Sequence, residues 1–321
     1  MRILSGVKPT GRPHVGNYLG AIRQHIALQE KNNECIYMVA DYHALTTLRD
    51  ADLMREYRRG IALDYLALGL DPEKAIFFFQ SDIPMHAELA WILSTITPHG
   101  LLERAHAWKD TKAKGNREMN AGLFTYPILM AADILLYNAD SVPVGKDQKQ
   151  HVEIARDIAE KFNNTFGDTF TLPEPDIPED VATIIGTDGQ KMSKSYNNTI
   201  GIFEDEATIK KQVMSITTAS IELAEPMPIE NDIILGLYEQ FSSSAELDEL
   251  KANYKAGGFG YGNAKKALLN KIIEHFAEAR ERRTKLAESD NIKEIMHEGA
   301  KKAQKIAITT MSDVYVKTGL S

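Results

Sequence analysis

The strongest constraint in this sequence is an alternation that runs through its first half. Short apolar, β-branched runs at Arg2–Ser5, Cys35–Ala40 (CIYMVA) and Ala75–Gln80 (AIFFFQ) read as buried strands. Between them, Asn17–Lys31 and Asp50–Leu70 repeat apolar residues every three or four positions, as crossover helices do. A β-α-β-α-β order is satisfied by parallel strands joined by right-handed crossovers. The expected fold class is therefore α/β, a doubly wound parallel sheet of the Rossmann-like kind. In such sheets a ligand sits in the crevice beyond the carboxyl ends of the strands. The three segments there, SGVKPTGRPHVGN, DYHALTT and SDIPMH, become site candidates from topology alone.

Further along, Gly122–Tyr137 reads as a buried helix despite Pro127, Val142–Gly145 as a short strand and Asp147–Asn163 as another helix. A proline-rich connection, LPEPDIPED, leads to Val181–Ile185 and the polar loop GTDGQKMSKSYNN. From about Ile202 strand-like runs stop and charged amphipathic helices take over. In Ala264–Lys285, Leu268, Ile272, Phe276 and Ala279 share one face, as in a bundle helix. This places a domain change between residues 1–201 and a helical domain, 202–321, whose last helix could return to the first.

Composition narrows the function classes. The 321 residues are 43% hydrophobic and 26% charged, which excludes disorder and fibrous repeats. The single cysteine, Cys35, cannot form an internal disulfide, and no Cys/His spacing fits structural zinc. MRILSGVKPTGR lacks a signal peptide's apolar core, and Leu123–Tyr137 is interrupted by Pro127 and Asp133 and is too short to span a bilayer. The expectation is a soluble cytoplasmic protein with no membrane partner. A net charge of −8 argues against whole-surface attraction to nucleic acid. Lys251–Lys285 is locally basic, which fits either a solvated helix face or contact with a polyanion.

Three features carry chemistry. Lys8–Asn17, KPTGRPHVGN, joins a strand to a helix, and its glycines and helix-start amides fit either a tight turn or an anion site. It matches neither GxGxxG nor a P-loop. Lys191–Ser195, KMSKS, could place two lysines and two hydroxyls around a polyphosphate, or be ordinary solvated loop. Asp133 lies in LMAADILLY, where burying even a neutral polar group without a partner costs about 2–7 kcal/mol. Either a structural donor or a ligand donor must meet it.

HxGN after the first strand together with KMSKS resembles the signature pair of class I aminoacyl-tRNA synthetases. His14, Gly16 and Asn17 match the first motif, with Asn17 in place of a usual histidine, and Lys191 to Ser195 match the second throughout. The segments SGVKPTGRPHVGNYLGA, ADYHALTT, AGLFTYPILMAADILLY and VPVGKDQKQHVEIARDIAEKFN, in this order, are similar to the tryptophan-activating family within that class; GYGNAKKAL continues the likeness more weakly.

The resemblance implies a catalytic group of Lys191, Lys194, His14 and Asn17. It implies ATP contacts at Lys8, Pro9, Thr10, Gly16, Asn17, Gly145, Lys146, Asp147, Ile184, Lys191, Met192, Ser193, Lys194 and Ser195. It places tryptophan against Asp133, Leu4, Gly6, His43, Tyr126, Met130, Val144 and Gln148. Core packing explains Leu4, Met130 and Val144 as readily. Asp133 would accept the indole N–H, penalising substrates without that donor.

The implied reaction joins tryptophan and ATP into an adenylate with release of pyrophosphate, then esterifies tRNA. Mg²⁺ enters with ATP, with no dedicated protein metal site, and the family's habit implies a homodimer. Lys8 and Lys146 replace the family's usual glutamine and glutamate, so Lys8 is expected to contact phosphate and partly duplicate magnesium. Rival readings are a tyrosyl-tRNA synthetase, a simpler nucleotidyltransferase, and a catalytically silent tryptophan- or tRNA-binding regulator.

Overall fold

A computed structural model describes all residues except 32, 106–107, 109–119, 146–147, 178–183 and 290. Among the described residues five strands form one sheet: β1 (Arg2–Val7), β2 (Glu34–Val39), β3 (Ala75–Phe79), β4 (Ser141–Pro143) and β5 (Glu174–Asp176). Their order is β3-β2-β1-β4-β5, and every pairing is parallel. The order reverses beside β1, so a crevice opens beyond the carboxyl ends of β1 and β4.

Side-chain alternation assigns each strand residue to a face. Ile3, Cys35, Tyr37, Val39 and Phe77 pack against the helical stretch 15–29, the helix Ala51–Leu68 and the helices of the second half. Leu4, Ile36, Met38, Phe78 and Val142 face Met85–Ser94, Ala121–Leu135 and Lys149–Phe166. Helix ends follow local chemistry. Asp50 accepts from the amides of Asp52 and Leu53 at 2.9 and 3.0 Å, and Gly69, at φ 116°, ends the helix that Asp50 begins.

β5 falls inside the proline-rich segment that reads as a connection. Pro175 is tolerated because β5 is an edge strand and bonds on one side only. Residues 181–183 of the expected Val181–Ile185 element lie outside the described residues, and Ile185 pairs with Lys191 in an isolated antiparallel bridge away from the sheet.

The second half is helical through Glu206–Met214, Ile233–Tyr238, Ser244–Ala256, Tyr261–Ala287 and Asn291–Thr318. Asn291–Thr318 runs back across β3. A Cβ on Gly299 would lie 1.8 Å from the carbonyl oxygen of Phe77, so only glycine permits this backbone contact. Ala300, Ala303, Ala307, Met311 and Val314 then join the core on the second face of the sheet.

Candidate active site at the carboxyl ends of β1 and β4

A cleft of about 970 Å³ occupies the crevice that the sheet order defines. Leu4 and Gly6 of β1, and Val144 and Gly145 just after β4, form its floor. His43, Tyr126, Met130, Asp133 and Gln148 form one group of its lining, and Thr10, His14, Asn17, Ser193, Lys194 and Ser195 a second, with Lys8 reaching Thr46 beside His43. The two groups thus line one cavity.

In the first group Asp133, 1% exposed, is held by the protein. Gln80 Nε2 and His86 Nδ1 each lie 2.7 Å from Oδ1, and His43 Nε2 lies 2.8 Å from Oδ2. Burial is the largest single influence and pushes the carboxyl pKa up, but the hydrogen bonds and charges of His43 and His86 together hold it below the ordinary value. A carboxylate has about four acceptor positions. Three are filled, and the remaining one is on Oδ2, on a side chain that lines the cleft. The structural and the ligand reading of Asp133 therefore coexist. Tyr126 bonds His151 and stands edge-on to His43, with ring centroids 6.2 Å apart.

The second group is tied together by the loop 184–201. His14 pairs with Gly201 in an isolated bridge, and the amide of Val15 donates to Ile200 O at 2.9 Å. Gly16 donates to Met192 Sδ at 3.2 Å, and a Cβ there would press on the His14 ring and Met192 at 3.0 and 3.2 Å. The expected open helix-start amides are thus corrected: that of Val15 is engaged by Ile200 O, that of Gly16 by Met192 of KMSKS, and that of Asn17 by His14 O of its own turn. Gly16 has only a weak thioether acceptor. Asn17 accepts the His14 amide proton through Oδ1 at 3.1 Å.

His14 is 7% exposed, and burial together with the charge of Lys194 lowers its pKa to about 4. It is a neutral imidazole at pH 7, and its Nδ1 has no hydrogen-bond partner. Lys8 Nζ donates to Thr46 Oγ1 and Thr47 Oγ1 at 3.1 and 3.3 Å, and burial lowers its pKa. Lys194 Nζ reaches Thr10 O at 3.1 Å, and desolvation lowers its pKa against the opposing pull of Glu204 and Asp64.

Other expected residues lie outside the cleft lining. Lys191 is exposed, Met192 is buried, Pro9 is buried, and Ile184 packs at the core edge. Lys146 and Asp147 lie outside the described residues. Asn198, missed in the sequence, is 1% exposed and clips the loop: it accepts from Ser193 N at 2.7 Å and donates to Asp188 Oδ1 at 2.7 Å and Lys191 O at 3.1 Å. The only available signal was its place two residues after KMSKSY. Gln80 and His86 were also missed as individuals, although His86 closes SDIPMH and Gln80 ends the AIFFFQ strand.

The basic segment is mostly spoken for. Arg283 Nε lies 2.5 Å from Asp64 Oδ1, Arg282 donates to Ala67 O, and Arg280 to the carbonyls of Ile202 and Glu204. Lys265 bonds the carbonyls of Met214 and Ile216, and Lys271 pairs with Glu246. The solvated-face reading fits Lys285, which pairs with Glu281.

The family profile described as "tRNA synthetases class I (W and Y)" matches residues 1–277. The chain belongs to this family. The synthetase is 52% identical, over all of both chains, to a tryptophan–tRNA ligase of Rhodopirellula baltica, and 52% identical to one of Fusobacterium nucleatum, covering 99% and 98%. A crystal structure of Campylobacter jejuni tryptophanyl-tRNA synthetase complexed with ADP and tryptophan superimposes with a TM-score of 0.95 at 49% identity, covering 99% of this chain and 100% of that one. Among the described residues of this synthetase no group of three or more His, Cys, Asp or Glu could hold a metal ion, and no helix is long and apolar enough to cross a membrane.

Proposed function

We propose that this chain works as a tryptophan–tRNA ligase, activating L-tryptophan with ATP and passing it to the 3′ end of tRNA. The observation that carries this reading is Asp133, a buried carboxylate with three of about four acceptor positions filled by described residues, lining the same cleft as His14 and Lys194.

In the proposed pose the indole lies between Leu4, Gly6, Met130 and Val144, and its N–H donates to Asp133 Oδ2. Tyr126 and Gln148 face the amino-acid end. The tryptophan carboxylate attacks the α-phosphorus of ATP in line; the new O–P bond forms as the bond to the bridging oxygen breaks, and its electron pair leaves on pyrophosphate. No proton transfer is required. ATP enters as its magnesium salt, and the metal offsets phosphate charge. Lys194, Lys8 and Lys191 add positive charge, and His14, being neutral, serves as an N–H donor rather than a base. Lys191 lies outside the cleft lining, so its part requires the loop to move inward. Gly145, Lys146, Asp147 and Ile184 take the adenosine side.

The helical part, residues 202–321, would receive the tRNA, with residues 1–201 carrying the chemistry. Within Lys251–Lys285, Lys251, Lys255 and Lys266 have no ion pair or hydrogen bond to another described residue and are basic side chains left for a phosphate backbone. A cytoplasmic homodimer belongs to the same reading. Trp91, 73% exposed on Met85–Ser94, offers an apolar contact, and sedimentation at twice 35.8 kDa tests the dimer. The activity test is pyrophosphate–ATP exchange, expected with tryptophan and absent with tyrosine. Exchange driven by tyrosine, or none at all, overturns the proposal.

A further inference from the structure

The cleft residues do not explain why Asp133 presents a single acceptor in a single direction. Its partners on Oδ1 are Gln80 and His86, both 0% exposed and neither part of the cleft lining. Behind them the frame continues. Gln80 Oε1 accepts the amide of Tyr42 at 3.1 Å, and Tyr137 Oη lies 2.8 Å from His86 Nε2. Asp133, being ionised, only accepts, so the network assigns a proton to His86 Nδ1. Burial pushes the Tyr137 hydroxyl pKa well up, so it keeps its proton, and its oxygen occupies the far nitrogen of the His86 ring.

We infer that Gln80 and His86 are positioning residues for substrate selection: by filling both lone pairs of Asp133 Oδ1, they stop the carboxylate from turning and leave one fixed acceptor for an indole N–H. Without them the carboxylate keeps only His43 and can rotate to accommodate a ring that offers no donor. A buried four-residue polar chain is a costly way to fill space that leucine would fill, and its geometric output is the orientation of one oxygen. The inference rests on the proposed indole contact of Asp133.

The test compares pyrophosphate exchange with L-tryptophan and with 3-(benzothiophen-3-yl)alanine, which keeps the bicyclic shape and replaces the N–H by sulfur. The readout is the ratio of the two kcat/KM values. Gln80→Met and His86→Leu are expected to lower that ratio by about tenfold or more, as the penalty for leaving the Asp133 acceptor unpaired is lost. His86→Asn, whose amide nitrogen can replace Nδ1, is expected to keep most of it. Tyr137→Phe removes one oxygen and is expected to lower the ratio by a smaller factor, and it carries the test together with Gln80→Met if the leucine variant does not fold. A merely structural role would depress both substrates equally, and an unchanged ratio in Gln80→Met and Tyr137→Phe overturns the inference. Asp133→Asn separates the two levels: if it retains the wild-type ratio, the indole contact itself is wrong; if it loses the ratio while the Gln80 and His86 variants keep it, only the positioning role fails.

Discussion

The two groups that line the cleft are built on opposite principles. Around Asp133 the polar atoms of Gln80 and His86 are paired, and the donors come from rigid positions at the ends of β2 and β3 and from a core helix. Around KMSKS the buried atoms His14 Nδ1, Asp64 Oδ2 and Glu204 Oε2 have no partner, and the lysines sit on a loop held by Asn198. A satisfied network fixes geometry, and an unsatisfied one stores demand for a ligand or for a rearranged loop. The difference teaches that recognition of an uncharged ring is done by a preset frame, whereas charge stabilisation is left to a loop whose surroundings keep buried polar atoms unpaired.

That contrast is most easily broken at Asp133. Asp133→Ala leaves the buried donors of Gln80 and His86 and the half-buried His43 without their acceptor and is expected to cost about 3–5 kcal/mol of stability, read by denaturant titration. A loss below about 1 kcal/mol would mean that the frame is not closed. Lys194→Ala, at the KMSKS end, is expected to slow exchange by about 10²–10³-fold with unchanged melting temperature and tryptophan affinity. Equal losses in affinity and rate would erase the distinction between the two groups.

The sequence made much of this visible. The strand and helix periods of the first half gave the sheet, and an aspartate within LMAADILLY announced an unusual partner. Its donors stayed hidden because Gln80 and His86 are 53 and 47 residues away, and only the fold brings them to one oxygen. β5 was masked by its own prolines. The arginines of Tyr261–Ala287 read as available charge because Asp64, 219 residues from Arg283, cannot be seen as a partner along the chain. Asn198 carries no signal besides its neighbours.

pH separates the two groups more finely. Burial, opposed by Arg283 and Arg12, raises the Asp64 pKa to about 6, above its unfolded 3.8. Its contribution to stability is therefore full below 3.8 and lost as pH rises through about 6, on the order of 2–3 kcal/mol. His14, depressed from 6.5 to about 4, acts the other way: its contribution is present above 6.5 and lost as pH falls through about 4. The melting temperature of wild type minus that of Asp64→Asn should isolate the first slope, and parallel curves would refute it. Asp133, held below 3.8, should leave tryptophan affinity flat between about pH 8 and 5. The smallest effect is expected from Lys8→Gln, a several-fold rise in the magnesium needed for half-maximal exchange; superimposable magnesium curves would remove Lys8 from the phosphate site.

The most direct measurement is a crystal structure of this chain with bound L-tryptophan. The account predicts the indole nitrogen at about 2.7–3.2 Å from Asp133 Oδ2, with Gln80 and His86 still on Oδ1. A ring seated elsewhere in the cleft, or an Oδ2 whose last acceptor position is filled by the protein itself, would contradict it.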